Sequence, residues 1–300
     1  MKYFAIKLII IAALFGHYAD AAGPAKTALQ PDALVTRIPR RPIHALTGSE
    51  FVRYVSIMDP QQREQAIREE ILKGNVPDFL RRLVPVELSY TGSGNNAVIA
   101  TIFAMPDYLA IGSNDDYVRI PMNLYSAMLI AKQLGFVLPT TKMVDAIYAQ
   151  STYHLAPQPL PAGPSMRSTE YYRLHNEMIE RQMHGRGIPS GGLISGHKKD
   201  VVLSNRLRQH DGRIAIYGWH RLSGIPIQPL STVHGATYAD YSHGIRLISD
   251  VAIVDGEMRP VYDVLGDYQQ ANVLTREGPT GQSLWKQILR ADPLGVDATH

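Results

Sequence analysis

The sequence contains no cysteine, and this absence excludes two kinds of chemistry. Without thiols the chain can form no disulfide bonds and can use no thiolate nucleophile. A chain of 300 residues is long enough to bury a substantial core without cross-links. Stability therefore has to come from packing, and small disulfide-rich scaffolds are excluded.

Concentrated charge of one sign is also lacking. The 30 basic and 27 acidic residues give a formal net charge of +3, and the basic residues are spread along the chain without long runs. Nucleic-acid-binding proteins usually show a basic patch or a recognisable motif. Neither is present, so we expect no nucleic-acid partner. The densest basic stretch, residues 37–41 (RIPRR), is interpreted as a solvated linker.

Long apolar runs are scarce, and the most prominent one lies at the N-terminus. Lys2 and Lys7 precede an uncharged run over residues 8–15, and small residues follow at 19–22. This order is typical of a secretory signal peptide, and the run is shorter than the about 20 residues that span a bilayer. We expect residues 1–22 to be a signal peptide, with a retained anchor as the alternative. The mature chain would then be secreted or periplasmic, without a membrane span.

The remaining pattern predicts a linker followed by an α+β domain. Residues 23–47, rich in Pro, Ala and Thr, are expected to form an extended linker. Helical spacing and capping signals mark four later segments: residues 61–73, 126–134, 140–150 and 169–183. Short β-rich segments predict strands at 86–90, 97–104, 108–111, 117–120, 200–203, 213–217, 245–248 and 251–254.

The order of these elements sets the expected architecture. The turns between the first four strands favour hairpins and predict an antiparallel meander. We expect residues 48–300 to form a single compact α+β domain with a mixed or antiparallel sheet and flanking helices. The Pro-rich passage at 157–164 (PQPLPAGP) is interpreted as a surface loop, with a domain linker as the alternative.

Histidines are concentrated in one part of the chain. Seven of the eleven lie between positions 175 and 243, which is less than a quarter of the sequence. Histidine serves both as general acid or base and as metal ligand, so this enrichment indicates a site. Three segments with glycines at strand ends carry the candidates: Gly196–Asp200 with His197, Tyr217–Arg221 with His220, and Val233–Arg246 with His234 and His243.

The third segment is the richest in chemistry. His234, Asp240 and His243 lie within ten residues, with Tyr241 beside Asp240 and Arg246 three residues after His243. Histidine and Tyr241 or Asp240 could move protons while Arg246 stabilises developing negative charge, and this chemistry needs no cofactor. The alternative is zinc held by His234, Asp240 and His243, with a fourth position left for an activated water.

Several candidates also have a structural interpretation. Lys198 and Lys199 are expected to be a solvated pair, and His210 a turn residue. His175 and His184 lie on a predicted helix, where exposure is the default. His220, after Trp219, is as compatible with covering the edge of a core as with catalysis.

One segment resembles a known signature. His234-Gly235, Ser242-His243-Gly244-Ile245-Arg246-Leu247 and Asp250 are similar to the active-site signature of L,D-transpeptidases, which act on peptidoglycan stem peptides through a cysteine. That cysteine stands between the glycine and the isoleucine and is absent here, so the family mechanism is unavailable to this chain. The segments PDYLAIGSNDDYVRIPM and DYSHGIRLIS also resemble segments of secreted bacterial proteins of unassigned function.

Two functions are compatible with these observations. The first is an exported hydrolase that cleaves a cell-envelope or extracellular polymer, peptidoglycan or polysaccharide, by histidine-centred acid/base catalysis through His197, His220, His234, Asp240, Tyr241, His243 and Arg246. The second is a non-catalytic module that binds a glycan or a protein in the envelope, with Trp219 and the 16 tyrosines as stacking surfaces. Catalysis requires the polar groups to meet in one place.

Overall fold

The computed structural model of the chain describes residues 36–92, 97–280 and 283–292, which lie in one compact unit. The predicted signal peptide and the first part of the predicted linker lie outside these residues. Within the described ranges, no helix has both the length and the hydropathy needed to cross a bilayer.

The described residues form eight α-helices: α1 Gly48–Val55, α2 Pro60–Leu72, α3 Leu124–Leu134, α4 Thr141–Gln150, α5 Thr169–Gly185, α6 Val261–Gly266, α7 Ala271–Leu274 and α8 Ser283–Arg290. Their starts follow from local chemistry. The Asp59 side chain accepts hydrogen bonds from the first-turn amides of α2, and Pro60 follows it with a pre-set φ. Asn123 and Thr140 cap α3 and α4 in the same manner. The four helices predicted from sequence are confirmed.

Fourteen strands lie in the described ranges: β1 Val84–Thr91, β2 Ala97–Ala104, β3 Ala110–Gly112, β4 Tyr117–Arg119, β5 Phe136–Val137, β6 Tyr153–His154, β7 Ile194–Ser195, β8 Lys199–Val201, β9 Ile216–His220, β10 Pro226–Ser231, β11 His243–Gly244, β12 Ile248–Ser249, β13 Val251–Val254 and β14 Glu257–Pro260. The larger sheet has six strands in the order β14-β13-β2-β12-β5, with β1 paired to β2. Its pairings are antiparallel.

A second sheet has four strands in the order β10-β9-β8-β11. β8 pairs with β9 antiparallel and with β11 parallel, so this sheet is mixed. With helices flanking both sheets, the α+β prediction is confirmed.

Both hairpins of the predicted meander are confirmed, but the pairing of its second strand with its third is wrong. β1 and β2 pair along their whole length, and β3 and β4 pair with each other in a separate two-stranded sheet. Met105 and Leu109 donate backbone hydrogen bonds to Leu247 and Ile245, so the chain leaving β2 is paired with a segment far along the sequence. Short-range turn signals cannot reveal such a long-range pairing. The predicted strand 245–248 is likewise replaced by β11, which ends before it, and β12, which begins at its last residue.

Two apolar cores support these sheets. One lies against the six-stranded sheet and includes Val86, Ile102 and Ile248. The larger core is built from α1–α3 and the inner strands of the four-stranded sheet, with Phe51, Ile130 and Ile216 among its buried side chains. The described end of the predicted linker packs against it through Ile38, which is buried. The four-stranded sheet is therefore held between a large core and the loops that carry the histidines.

Candidate functional site

The four-stranded sheet brings together the three segments singled out from sequence. Lys199 of β8 is paired with His243 of β11 on one side and with Gly218 of β9 on the other. His197 lies two residues before β8, and His220 is the last residue of β9. Segments that are far apart in the chain thus meet on three adjacent strands.

Each of these three histidines lies beside an aspartate. Nε2 of His197 is 3.0 Å from Oδ1 of Asp107, and Nε2 of His220 is 3.1 Å from Oδ1 of Asp145. Nε2 of His243 is 3.9 Å from Oδ2 of Asp240, which is close but is not a hydrogen bond. A carboxylate beside an imidazole orients the ring and stabilises its protonated form, as a general base requires.

The His197–Asp107 pair is anchored by an arginine. Nε of Arg119 donates to Oδ2 of Asp107 at 2.7 Å, and Arg119 also donates to Glu180 on α5. All three members of the His197–Asp107–Arg119 group are buried. Arg119 and His197 hold the pKa of Asp107 far below its usual range, and burial lowers the pKa of His197 to about 4. The imidazole of His197 is therefore neutral at physiological pH.

Lys198 contradicts the expectation of a solvated pair. Its side chain is 0 % exposed, and Nζ donates to the carbonyl oxygen of Tyr241 at 2.7 Å. Burial lowers the pKa of this amine to about 7. Lys199 is half-buried, with Nζ 5.1 Å from the ring centroid of Trp219. Both faces of this part of the sheet are covered, since His197, Lys198 and Asp200 are all buried.

His175 also contradicts its expectation, whereas His184 and His210 are exposed as predicted. His175 is fully buried on α5, with Nδ1 3.4 Å from Nζ of Lys198. Its ring packs edge-on against Tyr241 and Trp219. Burial lowers its pKa to about 2, and the nearby Lys198 acts in the same direction. The helix assignment was right, but sequence alone did not reveal which face of α5 packs against the sheet.

The third segment forms a compact polar loop. Oδ1 of Asp240 accepts hydrogen bonds from the backbone amide and the hydroxyl of Ser242, and Oδ2 accepts one from the hydroxyl of Tyr238. His243 is fully buried, and burial lowers its pKa to about 4. His234 is half-buried and stacks on Tyr238 at a ring separation of 4.1 Å. The loop therefore contains one fully buried histidine, His243, and half-buried residues such as His234 and Tyr238.

The His220–Asp145 pair lies nearer the surface. Asp145 on α4 also accepts hydrogen bonds from Tyr217 and Arg276, and its side chain is 28 % exposed. The ring of His220 stacks on Tyr148. On the inner side, the buried carboxylate of Asp200 accepts a hydrogen bond from Tyr108, and burial raises its pKa to about 6.

Two predicted site residues have structural partners instead of free polar groups. The guanidinium of Arg246 donates to the carbonyl oxygens of Met105 and Ile194 and lies over the ring of Tyr108. The hydroxyl of Tyr241 contacts the backbone of Leu160 in the Pro-rich loop. These bonds tie the site to its supporting loops.

Close packing of backbone fixes the geometry of the sheet. A Cβ atom at Gly244 would lie 2.5 Å from Cδ1 of Tyr108 and 2.9 Å from Cβ of Lys198, so only glycine fits there. On β9, which is separated from β11 by β8, Trp219 has a φ of 55°, which is unusual for a bulky residue. Strained backbone of this kind is found preferentially at functional sites.

Buried side-chain atoms without a hydrogen-bond partner are concentrated around this sheet. Nine buried side-chain nitrogen or oxygen atoms in the described ranges have no hydrogen-bond partner, and six belong to this region: Nε2 of His175, Oγ of Ser195, Nδ1 of His197, Nε1 of Trp219 and both ring nitrogens of His243. Buried polar atoms are almost always satisfied in proteins, so a cluster of exceptions calls for a functional explanation.

No group of three or more His, Asp and Glu side chains among the described residues is arranged to hold a metal ion. Within the candidate zinc set, both carboxylate oxygens of Asp240 accept hydrogen bonds, and the ring of His234 is stacked on Tyr238. A metal bound by Asp240 would share the carboxylate with these hydrogen bonds.

Of the aspartates beside the three histidines, Asp240 was predicted from sequence, whereas Asp107 and Asp145 were not. Asp107 lies between β2 and β3 and Asp145 lies on α4, so only the fold brings them to His197 and His220. Arg119 and Glu180 were missed for the same reason. A weak signal did exist for Asp107 and Arg119, because charged residues inside β-rich segments have to be paired when buried.

No family model, no curated protein and no solved structure matches this chain.

Proposed function

We propose that this protein is an exported hydrolase that cleaves a cell-envelope or extracellular polymer by histidine-centred acid/base catalysis. The observation that carries the proposal is that β8, β9 and β11 bring together three histidines, on these strands or directly before them, each of which lies beside an aspartate. Placing so many titratable groups in one interior costs folding free energy, and such groups are found together chiefly where they perform chemistry. The polymer and the extracellular location rest on the N-terminal segment and on the sequence resemblance alone.

Within this proposal, His243 is the general base and Asp240 its partner. Both ring nitrogens of His243 lack a hydrogen bond, whereas Nε2 of His197 and Nε2 of His220 are each bound to an aspartate. A neutral imidazole can accept a proton from water or from a substrate hydroxyl, and Asp240 would stabilise the resulting charge. Lys198 lies nearby, and its buried amine has a pKa of about 7. It could therefore donate a proton to the leaving group.

The second candidate function is a non-catalytic module that binds an envelope glycan or protein. The observation that favours it is burial: His197, Lys198 and His243 are at most 1 % exposed, so a substrate could reach them only if the surrounding loops open. A purely structural polar core would need no such opening. The stacking role predicted for Trp219 does not fit this alternative, because its indole is buried against His175 and Tyr241.

The test is to incubate the purified protein with peptidoglycan and with a panel of extracellular polysaccharides. Soluble fragments are identified by mass spectrometry, with and without a chelator. We expect release from one polymer that is insensitive to the chelator and lost in Asp240→Asn. Metal-dependent release would favour the zinc alternative. Binding without release from any polymer would favour the non-catalytic module and contradict the hydrolase.

A further inference from the structure

A separate cavity lies beside the polar loop, between α2 and the residues that precede Asp240. Its volume is about 280 Å³, and nine residues line it: Pro60, Gln61, Arg63, Glu64, Asn123, Arg167, Thr237, Ala239 and Asp292. Ligand-binding cavities usually start at about 300 Å³, so this one fits a single sugar or one or two amino-acid residues. None of its lining residues was predicted as a site residue.

The acidic groups of this cavity are largely neutralised. Two guanidinium nitrogens of Arg68 bind the two carboxylate oxygens of Asp292, at 2.9 and 3.2 Å. The buried carboxyl group of Glu64 contacts the amide of Asn123 at 3.1 Å and the hydroxyl of Ser126 at 2.5 Å. Burial raises the pKa of Glu64 to about 7, which weakens its negative charge at neutral pH. The walls therefore offer little to attract a cation.

The basic groups of the cavity are balanced only in part: Arg63 interacts electrostatically with the buried Glu64. Arg63 donates to the hydroxyl of Thr169 and to the carbonyl oxygen of Arg167, so its bonds are to neutral partners. The guanidinium of Arg167 is exposed at the rim and lies 5.3 Å from the ring centroid of Tyr238. Because two arginines face a cavity whose acids are masked, its potential is positive and favours an anion.

The cavity is also connected to the proposed catalytic loop. Tyr172, which lies under the guanidinium of Arg63, donates a hydrogen bond to the carbonyl oxygen of Ala239 at 3.2 Å. Ala239 lines the cavity and directly precedes Asp240. Tyr238, which packs against Arg167, donates to Asp240. A group bound in the cavity would therefore lie alongside the segment that carries Asp240 and His243.

We propose that this cavity binds a carboxylate carried on a small sugar or peptide unit, with Arg167 making the direct contact and Arg63 supplying positive charge from the wall. The planar guanidinium fork matches the two oxygens of a carboxylate and can bind both at once. A free arginine at the rim and hydroxyl and amide groups on the walls, from Thr237, Gln61 and Asn123, suit an acid that also carries hydroxyl or amide groups.

The test is isothermal titration calorimetry of the full chain with five probes, of which the fifth is inorganic phosphate. D-glucuronate and N-acetyl-D-alanine are the acids, and D-glucose and N-acetyl-D-alaninamide are their neutral counterparts. We expect one acid to bind at least about tenfold more tightly than its counterpart, as expected for a charge-assisted bidentate contact. The acid that binds identifies a sugar or a peptide source. Equal binding of acid and counterpart, or tighter binding of inorganic phosphate, would overturn the proposal.

A pair of variants assigns any binding to this cavity. Arg167→Gln should weaken binding of the acid about tenfold, whereas Arg181→Gln, at an exposed position on α5 away from the cavity, should leave it unchanged. Equal melting temperatures would show that both variants fold. Unchanged affinity in Arg167→Gln would contradict the proposed site. Because binding is measured without turnover, this result does not depend on whether the hydrolase proposal holds.

Discussion

Lys198 is an ionisable residue buried at the four-stranded sheet. Its amine is fully buried, is hydrogen-bonded to the carbonyl oxygen of Tyr241 and is close to His175. Its pKa of about 7 in the folded chain compares with 10.5 for an ordinary lysine. Between these values the unfolded chain binds a proton that the folded chain does not.

This difference predicts a pH dependence of stability. The contribution of Lys198 is fully present above pH 10.5 and is lost as the pH falls towards 7. Relative to Lys198→Met, which cannot titrate, the wild-type protein should gain up to about 1.4 kcal/mol per pH unit within this window. Urea unfolding of both proteins at pH 7 and pH 9 measures the difference. If the difference in unfolding free energy between the two proteins is the same at pH 7 and pH 9, the amine is solvated.

Gly244 is the residue that keeps Tyr108 and Lys198 in place. Gly244→Ala should destabilise the fold by about 1–3 kcal/mol, because its Cβ would overlap the Tyr108 ring and the Lys198 side chain. Gly185→Ala is the matched control, since nothing lies within 4 Å of its Cβ position at the end of α5. That control should change stability by no more than about 1 kcal/mol in the stabilising direction. Similar melting temperatures for the two variants would refute the close packing.

At the scale of elements, Arg119 links three parts of the fold. It lies on β4, binds Asp107 ahead of β3, and reaches Asn176 and Glu180 on α5. Its side chain is completely buried. Removing one partner of a buried ion pair leaves an uncompensated charge, which is far more costly than losing a surface pair.

Arg119→Met should therefore lower the free energy of unfolding by about 3–5 kcal/mol. Arg181→Met, at an exposed position on α5, should change it by no more than about 0.5 kcal/mol. Denaturant unfolding of both variants tests the difference. The double variant Asp107→Asn with Arg119→Met should recover part of the loss, because it no longer buries a lone carboxylate. A small effect of Arg119→Met alone would exclude the linking role.

Local sequence signals predicted the helices better than the short strands. Helices such as α2 and α4 carry their own caps and spacing, and both were predicted from local signals. Strands β11 and β12 are two residues each and are defined by partners far along the chain, so no local pattern marks them. The histidine-rich segments were found because glycines and polar residues cluster there. Asp240 was found in the same way, but Asp107 and Asp145 were not, since pairing across elements is a property of the fold.

At the scale of the whole molecule, buried histidines and buried acids act in opposite directions on acid stability. Burial lowers the pKa of His175, His197 and His243, so each loses its stabilising contribution as the pH falls below 6.5. Burial raises the pKa of Glu64 and Asp200, and their contributions are lost as the pH rises through about 7 and 6. The two sets partly cancel between pH 4.5 and 7.

Glu64→Gln should make visible the loss of stability that the buried histidines cause as the pH falls. Without the protonation of Glu64, the protein should lose stability more steeply between pH 7 and pH 4.5, by up to about 1.4 kcal/mol per pH unit relative to the wild type. Glu257→Gln, at an exposed position on β14, is the control and should follow the wild-type curve. The measurement is the unfolding free energy across this range. Identical slopes for Glu64→Gln and the wild type would mean that Glu64 is ionised in the folded protein.

The aspartate-paired histidines at the four-stranded sheet are proposed to form a hydrolytic site. The most direct test compares fragment release from envelope polymers by the wild type, His243→Asn and His210→Asn, the last at an exposed histidine outside the site. We predict that His243→Asn lowers the release rate by at least about 100-fold with its fold intact by circular dichroism, and that His210→Asn does not. Release at the wild-type rate by His243→Asn would contradict the account.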